Sequence, residues 1–222
     1  QTWVLSPNPE LLMAMIKNRF IQATPYRAAI SGIHPTAVID PTALIAKSTT
    51  VGPHAFVGPR CKIGENSFIG ANAIIEADVE IGDNTTIHPL AYIGHSCLIG
   101  NRCEVLPQAT IGSEGYGYAH DHKGNHYRIP HTGRVILQDD VHVGANTAID
   151  RGSIEDSVIG QGTKIDNQCH LAHNSVIGKN GLITAQFGMA GSSKIGNNFI
   201  TGGKTSVTGH IEITDNVQVG GM

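Results

Sequence analysis

Aliphatic residues recur along this chain at every sixth position. From Ile33 the step passes through Ile39, Ile45, Val51, Val57, Ile63, Ile69, Ile75, Ile81, Ile87, Ile93, Ile99, Val105 and Ile111, all Ile or Val. The register is lost at 113 and recovers at Leu137, Val143 and Ile149. After a slip of four residues it resumes through Ile159, Ile165, Leu171, Ile177, Ile183, Met189, Ile195, Thr201, Val207, Ile213 and Val219, with Thr201 the one polar member. A six-residue period matches neither a 3.6-residue helix nor the simple alternation of a strand. It suits a short strand followed by a turn, repeated on each flat side of a triangular solenoid, and dense self-similarity of this kind marks a repeat architecture.

Two further positions complete the hexad. Glycine often follows the aliphatic residue, as at Gly52, Gly58, Gly64, Gly70, Gly82, Gly94, Gly100, Gly112, Gly160 and Gly178, where its backbone freedom would relieve a tight corner. Four residues after the aliphatic comes a small side chain, as at Ala37, Ala43, Thr49, Ala55, Ser67, Ala73, Thr85 and Ala91. Cys61, Cys97, Cys103 and Cys169 fall at that same small interior position. A buried thiol packs as a small hydrophobe, so these cysteines read as structural, in keeping with a reducing compartment. The pattern resembles the hexapeptide-repeat family, whose fold is a left-handed parallel β-helix with eighteen residues per coil, usually trimeric. On that resemblance the fold class is all-β, with about nine to ten coils over residues 33–222, each burying its core against the next.

Residues 1–32 read differently. TWVLSPNPELLMAMIKNRF suggests a strand end, a Pro-containing turn and a helix over roughly 9–18, the remnant of an N-terminal α/β domain, with 19–32 as linker. Composition narrows the partners. Of 222 residues 15% are charged, the net charge is −3, and no block of like charge occurs, which argues against nucleic acid and anionic membrane. No apolar run reaches the length of a membrane span.

The repeat is broken twice. SEGYGYAHDHKGNHYRIPHTGR, 113–134, holds three tyrosines and four histidines, and a long excursion of this kind is functional or disordered; here order against a neighbouring surface is expected. His120, His122 and His126 read either as a metal cluster or, with no coil framework to fix ligand geometry, as solvent-facing polar residues; no metal is assigned. DRGSIEDS, 150–157, adds four residues at a corner and is expected to widen the turn.

Hexad position also sorts the histidines. His142 and His170 precede an aliphatic residue and should face outward from a strand, while His34 and His88 occupy the usual glycine position. His173, two residues after Leu171, and His210, three after Val207, fall at corners where packing demands nothing so bulky. They are two coils plus one residue apart, hence on one edge, with backbones roughly 10 Å apart at the ordinary strand spacing. Asp166 precedes His173 by one side of the triangle.

The wording is more specific still. IGSEGYGYA, GRVILQDDVHVGANTAIDRG, IDNQCHLAHNSVIG, MAGSSKIG and TGHIEI resemble the UDP-3-O-(3-hydroxyacyl)glucosamine N-acyltransferases of lipid A synthesis, in order over residues 33–222. The resemblance implies that His173, the histidine of AHN, is a general base and that Asp166, which opens DNQC, orients it. It implies that Gly191, which ends MAG, supplies an oxyanion N–H and that His210 of TGH contacts substrate. The implied reaction moves a 3-hydroxyacyl group from an acyl carrier protein thioester to the 2-amino group of a UDP-sugar lipid precursor. It implies no cofactor, a homotrimer and a Gram-negative cytoplasmic setting. The family's uracil-binding aromatics and C-terminal helices have no counterpart in residues 1–222.

Three rival readings share the scaffold. A sister O-acyltransferase would act on UDP-N-acetylglucosamine. A γ-type carbonic anhydrase needs three converging histidines, often with a His-x₄-His pair, whereas the nearby pairs here are His170/His173 and His88/His95, and zinc catalysis wants three protein ligands and an open position. A non-catalytic scaffold leaves the corner placement of His173 and His210 without a purpose.

Overall fold

The computed structural model describes residues 6–20 and 29–222, and the chain divides into two units, Gln1–Ser31 and Gly32–Met222. In the first, Pro9–Phe20 is helical, two residues longer than the sequence suggests. Asn8 caps it, its Oδ1 accepting the Leu11 N–H at 3.0 Å, with Pro9 in the first turn where its missing N–H is not needed. Glu10 lies in the first turn and Lys17 and Arg19 in the last, as the helix dipole favours. The strand end anticipated at 1–5, and 21–28 of the linker, lie outside the described residues. Among the described residues no helix is long and apolar enough to cross a membrane.

The second unit is the left-handed parallel β-helix that the six-residue period leads to. Its three faces are parallel sheets of nine strands each. Strands pair with the coil above in a fixed register, as Phe56 with Ile74, Lys62 with Glu80 and Phe68 with Thr86. The hexad aliphatics form the interior, and Val57, Ile75, Ile93, Ile111, Ile149 and Leu171 are all fully buried. Each such side chain taken from water stabilises the stack by about 1.5–3 kcal/mol.

The small interior positions form a polar ladder between coils. The hydroxyls of Ser67, Thr85 and Thr163 each donate, at 2.8 Å, to the carbonyl of Gly82, Gly100 and Gly178 in the next coil. The Cys61 thiol donates to the Glu76 carbonyl at 2.8 Å in the same way. The thiols are therefore hydroxyl substitutes as well as small packed groups, and all four cysteines are free.

The corners correct the reading of the glycines. The left-handed residue is the third after the aliphatic, such as Arg60, Asn66, Asn72 and Asp78 with φ of 55–61°, and not the glycine that follows it, Gly112 with φ of 83° excepted. That glycine answers to crowding between coils. A β-carbon at Gly64 would lie 2.8 Å from the Gly82 carbonyl carbon, and one at Gly58 2.9 Å from that of Glu76.

Both interruptions leave the stack at the corner between the first and second faces. The strand Thr110–Ser113 opens into the long excursion, which folds as a hairpin of Tyr118–His120 against His126–Arg128. The coil then closes, with Leu98 pairing to Ile136. The shorter interruption follows Ala148–Asp150. It does more than widen a turn, because it carries Arg151 inward to 1% exposure.

Candidate functional site

His173 follows the strand His170–Leu171 at the same corner where both interruptions depart. The following coils place Gly191 after Gly188–Met189 and His210 after Ser206–Val207. Backbone hydrogen bonds bind this edge together: Ser192 N–H donates to His173 O at 2.9 Å and His210 N–H to Gly191 O at 3.2 Å. His173 and His210 thus share one edge, two coils apart, as their spacing predicts.

The orientation of the His173 ring follows from its neighbours. Asn174 Oδ1 accepts the Ser153 N–H at 2.9 Å, and its Nδ2 donates to Glu155 O at 3.3 Å. Those two contacts fix which end of the amide is oxygen. Asn174 Oδ1 lies 3.0 Å from His173 Nδ1, so Nδ1 must carry the proton and donate, leaving the lone pair on Nε2. The shorter interruption, which supplies Ser153 and Glu155, is therefore a support for the imidazole. Nε2 faces Gly191, where a β-carbon would lie 2.7 Å from both Nε2 and Cε1. The Gly191 N–H makes no hydrogen bond to another described residue.

An open cleft of about 530 Å³ runs beside this corner, lined by Tyr116, His170, Ala172, His173, Ala190 and Gly191 among others. A second cleft adjoins it, with Glu114, Tyr118, Arg128 and Asp150 in its wall. A larger groove of about 830 Å³ follows the second face past Leu44, Lys62, Glu80 and Leu98. It holds the Lys62–Glu80 ion pair but no histidine, so the smaller, His-lined cleft is the candidate site.

The other anticipated residues divide. His210 is exposed and joins the site through its backbone. Asp166 does not meet His173 within one copy of the chain. It stands at the corner between the third and first faces, exposed, with its Oδ1 accepting the Asn167 N–H at 2.7 Å. His120 and His126 face each other across the hairpin, Nδ1 to Nδ1 at 2.7 Å, and among the described residues no three His, Cys, Asp or Glu side chains are arranged to hold a metal.

Besides Asn174, three residues escaped the sequence reading. His131 is 4% exposed and stacks edge-on against His173, ring centroids 5.1 Å apart. Asp150 is buried beside them. Arg151 clamps both ends of the long excursion, donating to Gly112 O at 2.8 Å and Gly133 O at 3.3 Å, and reaches down to His95 O at 3.0 Å. The loss of register immediately after residue 149 was the available signal for the last two.

The profile described as "Bacterial transferase hexapeptide (six repeats)" matches residues 60–95 and 78–113. Among individual proteins the chain is similar to UDP-3-O-acylglucosamine N-acyltransferase from Methylorubrum extorquens (strain PA1), 55% identical over 74 residues, 33% of this chain and 21% of that one. The enzyme of the same name from Bradyrhizobium sp. (strain BTAi1) is 53% identical over 70 residues, 32% of this chain and 20% of that one. These matches thus span about a fifth of the relatives' own length. Among solved structures, UDP-N-acetylglucosamine O-acyltransferase from Moraxella catarrhalis superposes with TM-score 0.53 at 29% identity, over 85% of this chain and 65% of that one. The Arabidopsis UDP-N-acetylglucosamine acyltransferase shares the fold with TM-score 0.77 at 24% identity, over the same two shares.

Proposed function

We propose that this chain carries the catalytic edge of an N-acyltransferase that moves a 3-hydroxyacyl group from an acyl carrier protein thioester to the 2-amino group of UDP-3-O-(3-hydroxyacyl)glucosamine. The observation that carries the reading is the imposed tautomer of His173, which leaves Nε2 as a free base facing the cleft beside Gly191. Nε2 takes the proton from the amine as it attacks the thioester carbonyl, a contribution of about 10²–10⁴ in rate. The Gly191 N–H donates to the oxyanion, worth about 10²–10³ for a single donor. The thiolate of the carrier then leaves, taking up the proton. No cofactor enters these steps.

The local identity to named N-acyltransferases supports the choice of an amine acceptor. A homotrimer fits this reading, since the cleft is open and a neighbouring copy would bring a corner such as that of Asp166 against it. The test is acyl transfer from acyl carrier protein with two acceptors in parallel. Transfer to the 2-amino sugar nucleotide, lost in His173→Ala with the fold intact by circular dichroism, is the expected result. Transfer to UDP-N-acetylglucosamine instead would assign the O-acyltransferase reading, and full activity in His173→Ala would remove the base from its role.

A further inference from the structure

The long excursion turns back through a hairpin whose tip carries two histidines that the proposed reaction does not use. His120 and His126 are register partners across the two strands and both are exposed. Their rings stand nearly perpendicular, centroids 4.6 Å apart at 78°, with the two Nδ1 atoms at 2.7 Å. A neutral imidazole nitrogen either donates or accepts, so one Nδ1 carries a proton and the other offers it a lone pair.

The turn between them holds the pair in place. Asp121 Oδ1 accepts the backbone N–H groups of Lys123 at 2.8 Å and Asn125 at 2.9 Å. Its Oδ2 accepts the Asn125 side-chain amide at 2.8 Å and the Tyr127 hydroxyl at 3.1 Å. Gly124, with φ of 83°, makes the left-handed step that a side chain would resist. The carboxylate beside the histidines is thus occupied in closing the turn, and what it secures is His120 opposite His126. A pair held this way avoids most of the ordering cost that a flexible tract would meet on binding.

Two nitrogens bound to one ion at about 2.0–2.1 Å stand about 2.9 Å apart when their bonds meet at a right angle, and about 3.3 Å apart at the tetrahedral angle. The observed 2.7 Å lies close to the first and well short of the second. Right-angled nitrogen ligands suit tetragonal or square-planar Ni²⁺ and Cu²⁺ better than tetrahedral Zn²⁺. The geometry points to His120 and His126 as a two-nitrogen site for a late first-row divalent ion of that kind, bound at Nδ1 of each ring. On binding, the ring that held its proton on Nδ1 carries it on Nε2 instead, and both lone pairs face the ion. Water fills the remaining positions, since no third His, Cys, Asp or Glu among the described residues closes on the pair.

The position of the pair gives the ion a structural effect. Side chains alternate along a strand, and Tyr118 pairs with Arg128 two residues from the His120–His126 pair, so the four share one face of the hairpin. Tyr118 and Arg128 line the second cleft with Asp150 and His170. An ion across the tip cross-links the two strands of this wall and slows their opening.

The test titrates the whole chain with Ni²⁺ by calorimetry, beside His120→Gln, His126→Gln and His122→Gln. All three positions are exposed, so each variant keeps its fold. One ion per chain is expected, with unchanged binding in His122→Gln. Binding should weaken by more than about tenfold in each of the other two, since even the outer support of a ligand is worth about 10–100-fold. Amide hydrogen exchange at Tyr118 and Arg128 should slow when Ni²⁺ is added to the wild type and not in His126→Gln. The site is overturned if no saturable binding occurs, if all four chains bind alike, or if exchange in the wild type does not slow. A loss in His122→Gln equal to the other two also overturns it, because the ligand would then be the His-rich tract as a whole. None of these readouts uses turnover, so they stand apart from the acyl-transfer assay.

Discussion

Gly191 lies directly against the imidazole of His173: a β-carbon at 191 would stand 2.7 Å from Nε2 and Cε1 and 3.1 Å from Nδ1. The position is backbone-simple because the ring occupies the space a side chain would take. Gly191→Ala must therefore push the imidazole off its Asn174 hydrogen bond or shift the corner that carries the N–H. Either outcome would spoil the oxyanion contact of the proposed reaction, and kcat is expected to fall about 10²–10³-fold with little change in Tm. Steady-state kinetics beside a melting curve checks it; an unchanged kcat would show that the corner yields freely.

Arg151 predicts a stability effect separable from catalysis. Its guanidinium is 1% exposed and satisfied by the carbonyls of Gly112, Gly133 and His95. Arg151→Met keeps the stem and strips those donors, leaving buried carbonyls unpaired at about 1–3 kcal/mol each. The total loss expected is about 3 kcal/mol. The long excursion, released at both ends, should also be cut faster by protease. Denaturant unfolding together with limited proteolysis reads both effects.

The buried carboxyl of Asp150 makes stability depend on pH with a defined sign. Burial raises its folded value above the ordinary carboxylate range, so between the two values the folded chain holds more protons than the unfolded one. Its contribution is then present at low pH and is lost as pH climbs through that window. Asp150→Asn, neutral throughout, should melt higher than wild type at pH 7 and approach it below the ordinary carboxylate value. Thermal melts across pH 3–8 would refute this if the two curves ran parallel.

The thiols supply a cheap check of the interior. Burial pushes Cys97 and Cys103 each up to about 11, so almost no thiolate exists at pH 7, and the thiolate is the reactive form. All four cysteines are buried. Labelling with a disulfide reagent should be negligible in the folded chain and complete in denaturant. Rapid native labelling would mean that the coils open readily.

Much of this architecture could be read before any coordinates. The hexad aliphatics from Val51 to Val207 are buried because a strand of two residues and a fixed turn leave one inward position per six. The pairing of His173 with His210 on one edge was legible for the same reason, since position within a strict repeat is position in space. What the repeat could not show lies where it breaks. His131 looked like one more histidine of a polar loop, and only the return of 113–134 onto its own base buries it. Asp150 and Asn174 gain their roles from contacts across 37 and 21 residues, which no local pattern encodes. The purpose of the glycines was misassigned, because crowding between coils is invisible to a reading along one coil.

The fixed count of residues per coil has a consequence for how such a molecule changes. Excising one whole coil between Leu171 and Val207 would bring His173 and His210 nearer by one strand spacing, about 4.8 Å, while every retained residue kept its local conformation. Distance along the axis is thus graduated in single steps, like the rungs of a gauge, and protrusions at a corner leave the scale untouched. Acceptors of different length could be measured by adding or removing rungs, without redesigning the edge to which the reaction is proposed to belong.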